Sequence, residues 1–458
     1  MKTFSINILG CKVNQYESQQ IREFLEQVGL GQVEMTDGPD LAVINTCCVT
    51  HIASAKSRQN IRRARKLNPA SLVAVCGCLP KVQIGELNNL GKNVHIIRHN
   101  DDLAATLVQI ATANAAPHSQ NLQPRRNNTI KAKNGSKIKL KNTSAGFSGL
   151  GQVSCFKGQT RAFLKIQDGC DGYCSYCIIP KTRPDVHSKA VADVIEEAQV
   201  LVASGHKEIV LTGIFLGAYG QESVRRKKWA SGQVDKLADL LDKMAEIEGL
   251  ARIRLSSLEP GDVTERLLEV FGKHSNIMPH FHLSLQSGSS AVLRRMRRQY
   301  TSEEFVTTVD YIRGCVDRPA ITTDIIVGFP DESDKEFAET VEMARAVGFA
   351  KMHVFSFSAR GGTAAWKMGG KVPAGVVKER SKILRELDKE LGYEFRQQFV
   401  GERVTILVEE TNGQAEGRSE RYFPVRLSGD ERRYEAGELV EVEVIKNTKN
   451  GVWGRVSG

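Results

Sequence analysis

Three cysteines, Cys170, Cys174 and Cys177, sit in the run DGCDGYCSYC at 168–177. The spacing C-x-x-x-C-x-x-C supplies three thiolates from one short loop. A cubane 4Fe–4S cluster takes four Cys ligands, so three leave one iron open for another ligand. Structural zinc is the competing reading, but such sites close a four-ligand shell. The next cysteines along the chain, Cys155 and Cys315, form no second C-x-x-C pair. A disulfide framework belongs to small secreted chains. The apolar run AFLKIQD at 162–168 reads as a strand. It places the loop at a strand's carboxyl end, where α/β enzymes build their sites, and favours the cluster over zinc.

A second set lies near the start: Cys11 in LGCKVNQYES, Cys47 in NTCCVT and Cys78 in VCGCLP. Each ends an expected strand. Neighbouring strands of a parallel sheet end at one edge, so three thiolates can meet there. Taken singly, each reads more simply as an apolar core residue. Cys48 and Cys76 lie one and two residues from these positions. Alternation turns Cys48 to the other side of its strand, and both read as structural.

The elements that must hold these cysteines follow from pattern. At 458 residues the chain has room for about two to four domains. Over 1–115, strands at 4–10, 41–47 and 71–78 alternate with helical runs at 17–28 and 51–66, the mark of a parallel sheet. Residues 116–155 are rich in Asn, Ser, Lys and Gly and read as a flexible linker or insertion. From 156 to 394 a strand-then-helix unit recurs, with strands at 162–167, 208–213, 252–257, 280–287, 322–328 and 351–358. Six such units make a partial parallel barrel with every carboxyl end on one face. Residues 395–458 alternate apolar and polar positions between turn signals and read as a small antiparallel β-barrel. The expected class is therefore α/β multidomain: an N-terminal α/β domain, a central (βα)6 partial barrel and a terminal β-barrel.

Composition narrows the function classes. The net charge is +10 and the isoelectric point is near 9.0, which favours a polyanionic partner through counterion release. No apolar run reaches the ~18 residues a membrane span needs, so no membrane role is expected. The start MKTFSINILG reads as a first strand rather than a signal peptide. Ten cysteines in such a chain imply reduced thiols and a cytoplasmic location.

GCKVNQYES, NTCCVT, Gly77–Cys78 and KIQDGCDGYCSYCIIP together resemble the methylthiotransferase family of radical S-adenosylmethionine (SAM) enzymes. The resemblance continues through VLTGIFLGAYG, RIRLSSLEP, HLSLQSGS, RRMRRQYT, TTDIIVGFP and FSFSARGGTAA, and the terminal barrel resembles a TRAM RNA-binding domain. It implies two 4Fe–4S clusters, one on Cys170, Cys174 and Cys177 that cleaves SAM, and an auxiliary one on Cys11, Cys47 and Cys78 that takes part in sulfur delivery. It places Tyr176 near the SAM adenine and Thr212 and Gly213 near its amino group. Ser256, Glu259, Gln286, Ser287 and Arg298 lie at or beyond the carboxyl ends of expected strands, within reach of SAM or the second cluster; Glu259 has the alternative of capping the helix after Pro260.

GCKVNQYES, TGIFLGAYG and RIRLSSLEP look most like the subfamily acting on threonylcarbamoyladenosine beside the tRNA anticodon. The implied reaction replaces the C2 hydrogen of that base with a methylthio group. An adenine C2–H has no useful acidity, so acid–base catalysis is a poor route and a carbon radical suits it. Isopentenyladenosine in tRNA, a ribosomal protein, or a non-catalytic iron–sulfur RNA-binding role are the alternatives. The implied partners are tRNA, a one-electron donor such as a flavodoxin-like protein, and a sulfur source. Candidate RNA contacts are Arg62, Arg63, Arg65 and Lys66, the run Arg225 to Lys228, and Arg418, Arg421, Tyr422 and Phe423, one of these last two rings being expected in the core. Lys181, Pro184 and His187 depart from the family's aromatic, glycine and arginine, and Asp331 replaces its usual glycine.

Overall fold

The computed structural model describes residues 1–87, 90–91, 93–98, 103–112, 129–131, 137–139, 149–229, 235–411, 414–428, 434–449 and 451–456. The chain forms two compact units. One comprises Met1–Ser154, Gln167–Asp171 and Cys177–Ala190; the other comprises Cys155–Ile166, Gly172–Tyr176 and Val191–Gly458.

In the first unit, β1 (Thr3–Ile8), α1 (Lys12–Gln27), β2 (Gly31–Gln32), β3 (Leu41–Thr46), α2 (His51–Leu67), β4 (Leu72–Gly77), α3 (Leu79–Val82), α4 (Ile84–Leu87), β5 (Val94–Ile96) and α5 (Leu103–Thr112) follow in order. The strands form a parallel sheet in the order β2-β1-β3-β4-β5. All six residues of β3 are buried, as expected of a strand covered on both faces. Ile21, Phe24, Leu25 and Val28 pack with Phe4 and Val43 on one side. Ile61 and Ala64 of α2 pack with Ile44 and Val75 on the other. Thr50 caps α2 by accepting from the Ala53 amide at 3.1 Å.

The helix expected from Glu17 begins at Lys12, more than a turn earlier. Its first turns carry Asn14, Glu17 and Ser18, which are polar yet buried: Asn14 and Ser18 bond the strand ends at Leu9, Thr46 and Asn45, and Glu17 pairs with Arg183. The expected linker at 116–155 lies mostly outside the described residues. Within it, β6 (Thr129–Lys131) pairs antiparallel with β7 (Lys137–Lys139). Its end is tied down too: the Ser154 amide donates to the Glu23 carboxylate at 2.9 Å.

The second unit opens with β8 (Arg161–Lys165). The next pieces, β9 (Gln167–Asp168), α6 (Ile179–Thr182) and β10 (His187–Ser188), belong to the first unit, where β9 and β10 pair antiparallel. The second unit resumes with α7 (Val191–Ala203), β11 (Glu208–Thr212), α8 (Lys236–Ala245), β12 (Arg252–Leu255), β13 (Ser257–Leu258), α9 (Glu265–Lys273), β14 (His280–Leu283), α10 (Ser290–Met296), α11 (Ser302–Cys315), β15 (Ala320–Val327), α12 (Asp334–Val347) and β16 (Lys351–Ser356). Two parallel rows result, β8-β11-β12 and β13-β14-β15-β16. They are continuous across Ser256, whose amide donates to the Leu211 carbonyl at 3.0 Å, and Ile253 bridges to Ile277. This is the expected series of six βα units. Leu267, Leu268, Val270 and Phe271 of α9, and Phe337, Met343 and Val347 of α12, are buried on these helices.

After the long helix α13 (Ala374–Gln397), five strands, β17 (Arg403–Glu410), β18 (Glu416–Ser419), β19 (Pro424–Leu427), β20 (Leu439–Thr448) and β21 (Gly451–Val456), close into a barrel. β19 and β21 pair in parallel, so it is not wholly antiparallel. This barrel contacts the amino ends of the parallel strands. Arg252 donates to the Thr405 and Arg418 carbonyls at 2.6 and 3.0 Å, and Arg254 to the Glu420 carbonyl at 3.0 Å. Both arginines face Glu208, which is fully buried and lies 2.9 Å from Arg254 Nε. The carboxyl ends carry the candidate site residues.

Breaking a buried pair by removing one partner costs about 3–5 kcal/mol, because it strands the other charge. Glu208→Ala is expected to lower the stability of the second unit by that amount. All three tryptophans, Trp229, Trp366 and Trp453, lie in that unit, so urea unfolding followed by tryptophan fluorescence measures the loss. An unchanged midpoint contradicts the assignment.

Candidate functional site

In the first unit, Cys11, Cys47 and Cys78 follow β1, β3 and β4, which are adjacent in the sheet. Two glycines allow the approach. Gly10 has φ +107°, and a Cβ there would lie 2.9 Å from Cys47 Cβ. Gly77 has φ +88°, and a Cβ there would lie 2.5 Å from the Thr46 carbonyl oxygen. Only glycine accepts both the left-handed backbone and the contact. Asn14 stitches the edge together, donating to the Leu9 and Thr46 carbonyls at 2.6 and 3.0 Å. Ser57 of α2 holds the Cys47 backbone, with its hydroxyl 3.3 Å from the Cys47 amide and 3.2 Å from the carbonyl.

The thiols differ in character. Cys78 is pulled down to about 6, chiefly by a hydrogen bond from Cys48 and, against burial, by Arg183. The shift favours the thiolate, the form that ligates metals. Cys76 is pushed well up by burial and stays a thiol, which fits a structural role. Cys48 is buried too, but it touches Cys78. Its strand has ended at Thr46, so alternation no longer governs where it points.

The second cysteine loop is held from behind. The Cys170 amide donates to the Arg183 carbonyl at 2.8 Å. The Arg183 guanidinium is almost wholly buried, paired at 2.7 Å with Glu17 of α1 and at 2.7 Å with Asp168 of β9. It also bonds the Cys78 thiol. Sequence reasoning missed Arg183, Glu17 and Asp168; the signal was a lone arginine between the departures Lys181 and Pro184. Those two side chains are exposed, while His187 pairs through its backbone with Asp168.

Cys174 falls in the second unit, as do Tyr173 and Tyr176. Arg298 donates to Cys174 Sγ at 3.1 Å, to Glu259 at 2.5 Å and to Tyr300 Oη at 3.0 Å. Glu259 also pairs with Arg226 at 2.9 Å, and its amide donates to Asp262 at 2.7 Å, so it both closes the turn at Pro260 and holds two arginines. Burial pushes the Asp262 carboxyl up to about 6 despite Arg226. Tyr176 packs against Val292, Met296, Phe329 and Ala365. Thr212 and Gly213 lie at the carboxyl end of β11, and buried Ser256 between β12 and β13. Gln286 has φ 68° and bridges to Ile325. Ser287 is fully buried with its hydroxyl 3.3 Å from Thr340 of α12, which is a structural tie.

Several expected RNA contacts are engaged elsewhere. Tyr422, at φ 73°, stacks on His280 at 4.9 Å and packs against Arg161, Arg254 and Arg418. Phe423 is core, as expected of one of the pair. Arg421 donates to the Asp317 and Arg318 carbonyls. Arg226 is spent on Glu259 and Asp262, and Arg225 lies 3.7 Å over the Tyr173 ring. Arg62, Arg63, Arg65 and Lys66 are exposed along α2. Asp331 has φ 60°, which explains why a glycine suits that position.

Residues 164–344 match the radical SAM superfamily and residues 3–98 the uncharacterized protein family UPF0004. The chain is 35% identical over 454 residues to the threonylcarbamoyladenosine tRNA methylthiotransferase MtaB of Bacillus subtilis, covering 97% of this chain and 94% of that protein. This chain belongs to the radical SAM methylthiotransferases. A tRNA-2-methylthio-N(6)-dimethylallyladenosine synthase of Novosphingobium aromaticivorans is 32% identical, covering 100% of this chain and 98% of that one. Among solved structures, the radical SAM methyltransferase TsrM of Kitasatospora setae shares the fold at TM-score 0.54 and 13% identity, over 78% of this chain and 73% of that one.

The donors of this methylthiotransferase suit iron–sulfur clusters and SAM. None of the six cysteines is in a disulfide, the surroundings of Cys78 favour its thiolate, and Arg298 places a positive donor on Cys174 sulfur. Among the described residues, no helix is long and apolar enough to cross a membrane.

In the cluster-free protein, Cys78 should ionise with a midpoint near pH 6, protonated below and thiolate above. Cys48→Ala removes the largest stabilising contact and moves the midpoint upward. Ultraviolet thiolate absorbance reads both. A first thiolate signal only near about pH 8.5, the ordinary cysteine value, contradicts this.

Proposed function

We propose that this chain transfers a methylthio group to C2 of N(6)-threonylcarbamoyladenosine next to the anticodon of tRNA. The observation that carries it is the whole-length likeness at 35% identity to the enzyme bearing that name. A second reading, dimethylallyladenosine as substrate, rests on relatives at 32% identity. The domains assigned are 1–115 for the auxiliary cluster, 156–394 for the radical chemistry and 395–458 for an RNA-binding barrel.

Cys170, Cys174 and Cys177 are assigned to the SAM cluster and Cys11, Cys47 and Cys78 to the auxiliary one. When bound, the first cluster and SAM supply one-electron cleavage of SAM, the chemistry an unactivated C–H requires. Arg298 stabilises negative charge on Cys174 sulfur, and such hydrogen bonds tune cluster potentials. Glu259 orients Arg298. Arg183 neutralises Glu17 and Asp168 and fixes the backbone at Cys170. Thr212, Gly213, Ser256 and Tyr176 are the candidate SAM contacts. The exposed arginines of α2 are candidate contacts for RNA phosphates. A flavodoxin-like electron donor and a separate sulfur source complete the scheme.

Nucleoside mass spectrometry of tRNA from cells with and without the gene tests the substrate. Loss of 2-methylthio-threonylcarbamoyladenosine on deletion is expected. Persistence of that nucleoside, with loss of the dimethylallyl form, selects the second reading. Arg298→Met is expected to make the SAM cluster potential more negative and to slow 5′-deoxyadenosine release by about 10-fold or more, the usual effect of losing an outer partner of a metal ligand. An electron-paramagnetic redox titration measures the first and chromatography the second.

A further inference from the structure

The second unit carries a group of metal-type donors distinct from the six cysteines. His282 on β14, Asp324 on β15 and His353 on β16 stand on three neighbouring parallel strands. Asp324 is directly opposite His353, and His282 is opposite Thr322, two residues from Asp324. A period of two puts all three side chains on one face. Their ligand atoms lie within 4.8 Å of one another.

The distances do not describe a simple ion pair. His282 Nε2 lies 3.4 Å from Asp324 Oδ2. Charge-assisted hydrogen bonds are about 2.7–2.9 Å, so this contact is long for a direct proton bridge. It equals the edge of a tetrahedral site: donors about 2.0–2.1 Å from a zinc ion are about 3.3–3.4 Å apart. The other ring nitrogen, His282 Nδ1, lies 3.0 Å from Thr322 Oγ1. A ligating histidine usually spends its second nitrogen on such an outer partner, which sets the tautomer and aims the other nitrogen. Thr322 is itself 3.1 Å from His280 Nε2, which fixes the hydroxyl.

We propose that His282, Asp324 and His353 form a binding site for one divalent transition-metal ion. Imidazole and carboxylate donors suit Zn2+, Fe2+ or Mn2+. Three protein ligands leave a coordination position open to water or to an oxygen donor of a bound molecule. The site stands on strands, which hold geometry better than loops. It does not depend on the substrate assigned above.

The test uses the full chain with both iron–sulfur clusters loaded, in anaerobic equilibrium dialysis against Zn2+. Iron content and iron–sulfur absorbance are followed to show that the clusters stay intact. One zinc per chain is expected, and Asp324→Asn and His353→Ala are each expected to weaken binding at least about 10-fold. His353 is exposed, so its variant tests the site even where His282→Ala fails to fold. Thr322→Val, which removes only the outer partner, should give a smaller loss. No stoichiometric zinc on the intact enzyme, or equal binding by the variants, overturns the proposal.

Discussion

The buried guanidinium of Arg183 is the interaction on which the first unit's chemistry rests. Removing an arginine from water costs several kcal/mol, and only good geometry with full hydrogen bonding repays it. Glu17 and Asp168 each approach to 2.7 Å, and one comes from α1 while the other comes from the strand leading into the cysteine loop. The same residue accepts from the Cys170 amide and bonds the Cys78 thiol. One side chain and its own carbonyl thus tie three separated segments to one place. The pair is worth less as a source of stability than as a constraint: any other arrangement leaves two buried carboxylates facing each other.

The second unit solves a different problem. A partial barrel exposes polar side chains at both ends of its strands. At the amino ends, Arg252 and Arg254 donate to carbonyls of the terminal barrel and pair with Glu208, and Tyr422 closes over them in a left-handed backbone conformation. At the carboxyl ends the charged groups pair with one another, Arg298 and Arg226 on Glu259, beside the Cys174 sulfur. The terminal barrel is therefore part of this unit's packing, whatever else it binds.

Much was legible because it is local. Strand–helix alternation, the cysteine spacings and the exposed basic face of α2 follow from neighbouring residues. The misreadings share one cause. The helix expected from Glu17 starts five residues earlier, at Lys12, because polar Asn14 and Glu17 are buried with partners brought from β3 and from Arg183. Arg226, Arg421 and Tyr422 read as RNA contacts because charge and aromaticity on loops signal binding. Each instead has a partner distant in sequence, such as Asp262 for Arg226 or His280 for Tyr422. Residues 116–155 read as structureless by composition, yet the pairing of β6 with β7 and the hold of Glu23 on Ser154 are contacts that composition does not encode.

The sequence by itself determined the donor inventory, two cysteine triads, and the periodic elements that carry them. Those are properties of residue type and spacing. Tertiary structure decided which thiol is favoured to ionise, which arginine lies on a cysteine sulfur, and which histidines share a face with Asp324. Ionisation and pairing depend on burial and on atoms within about 4 Å. Residues such as Cys78 and Arg183, or His282 and His353, become neighbours only when the parallel strands align in register.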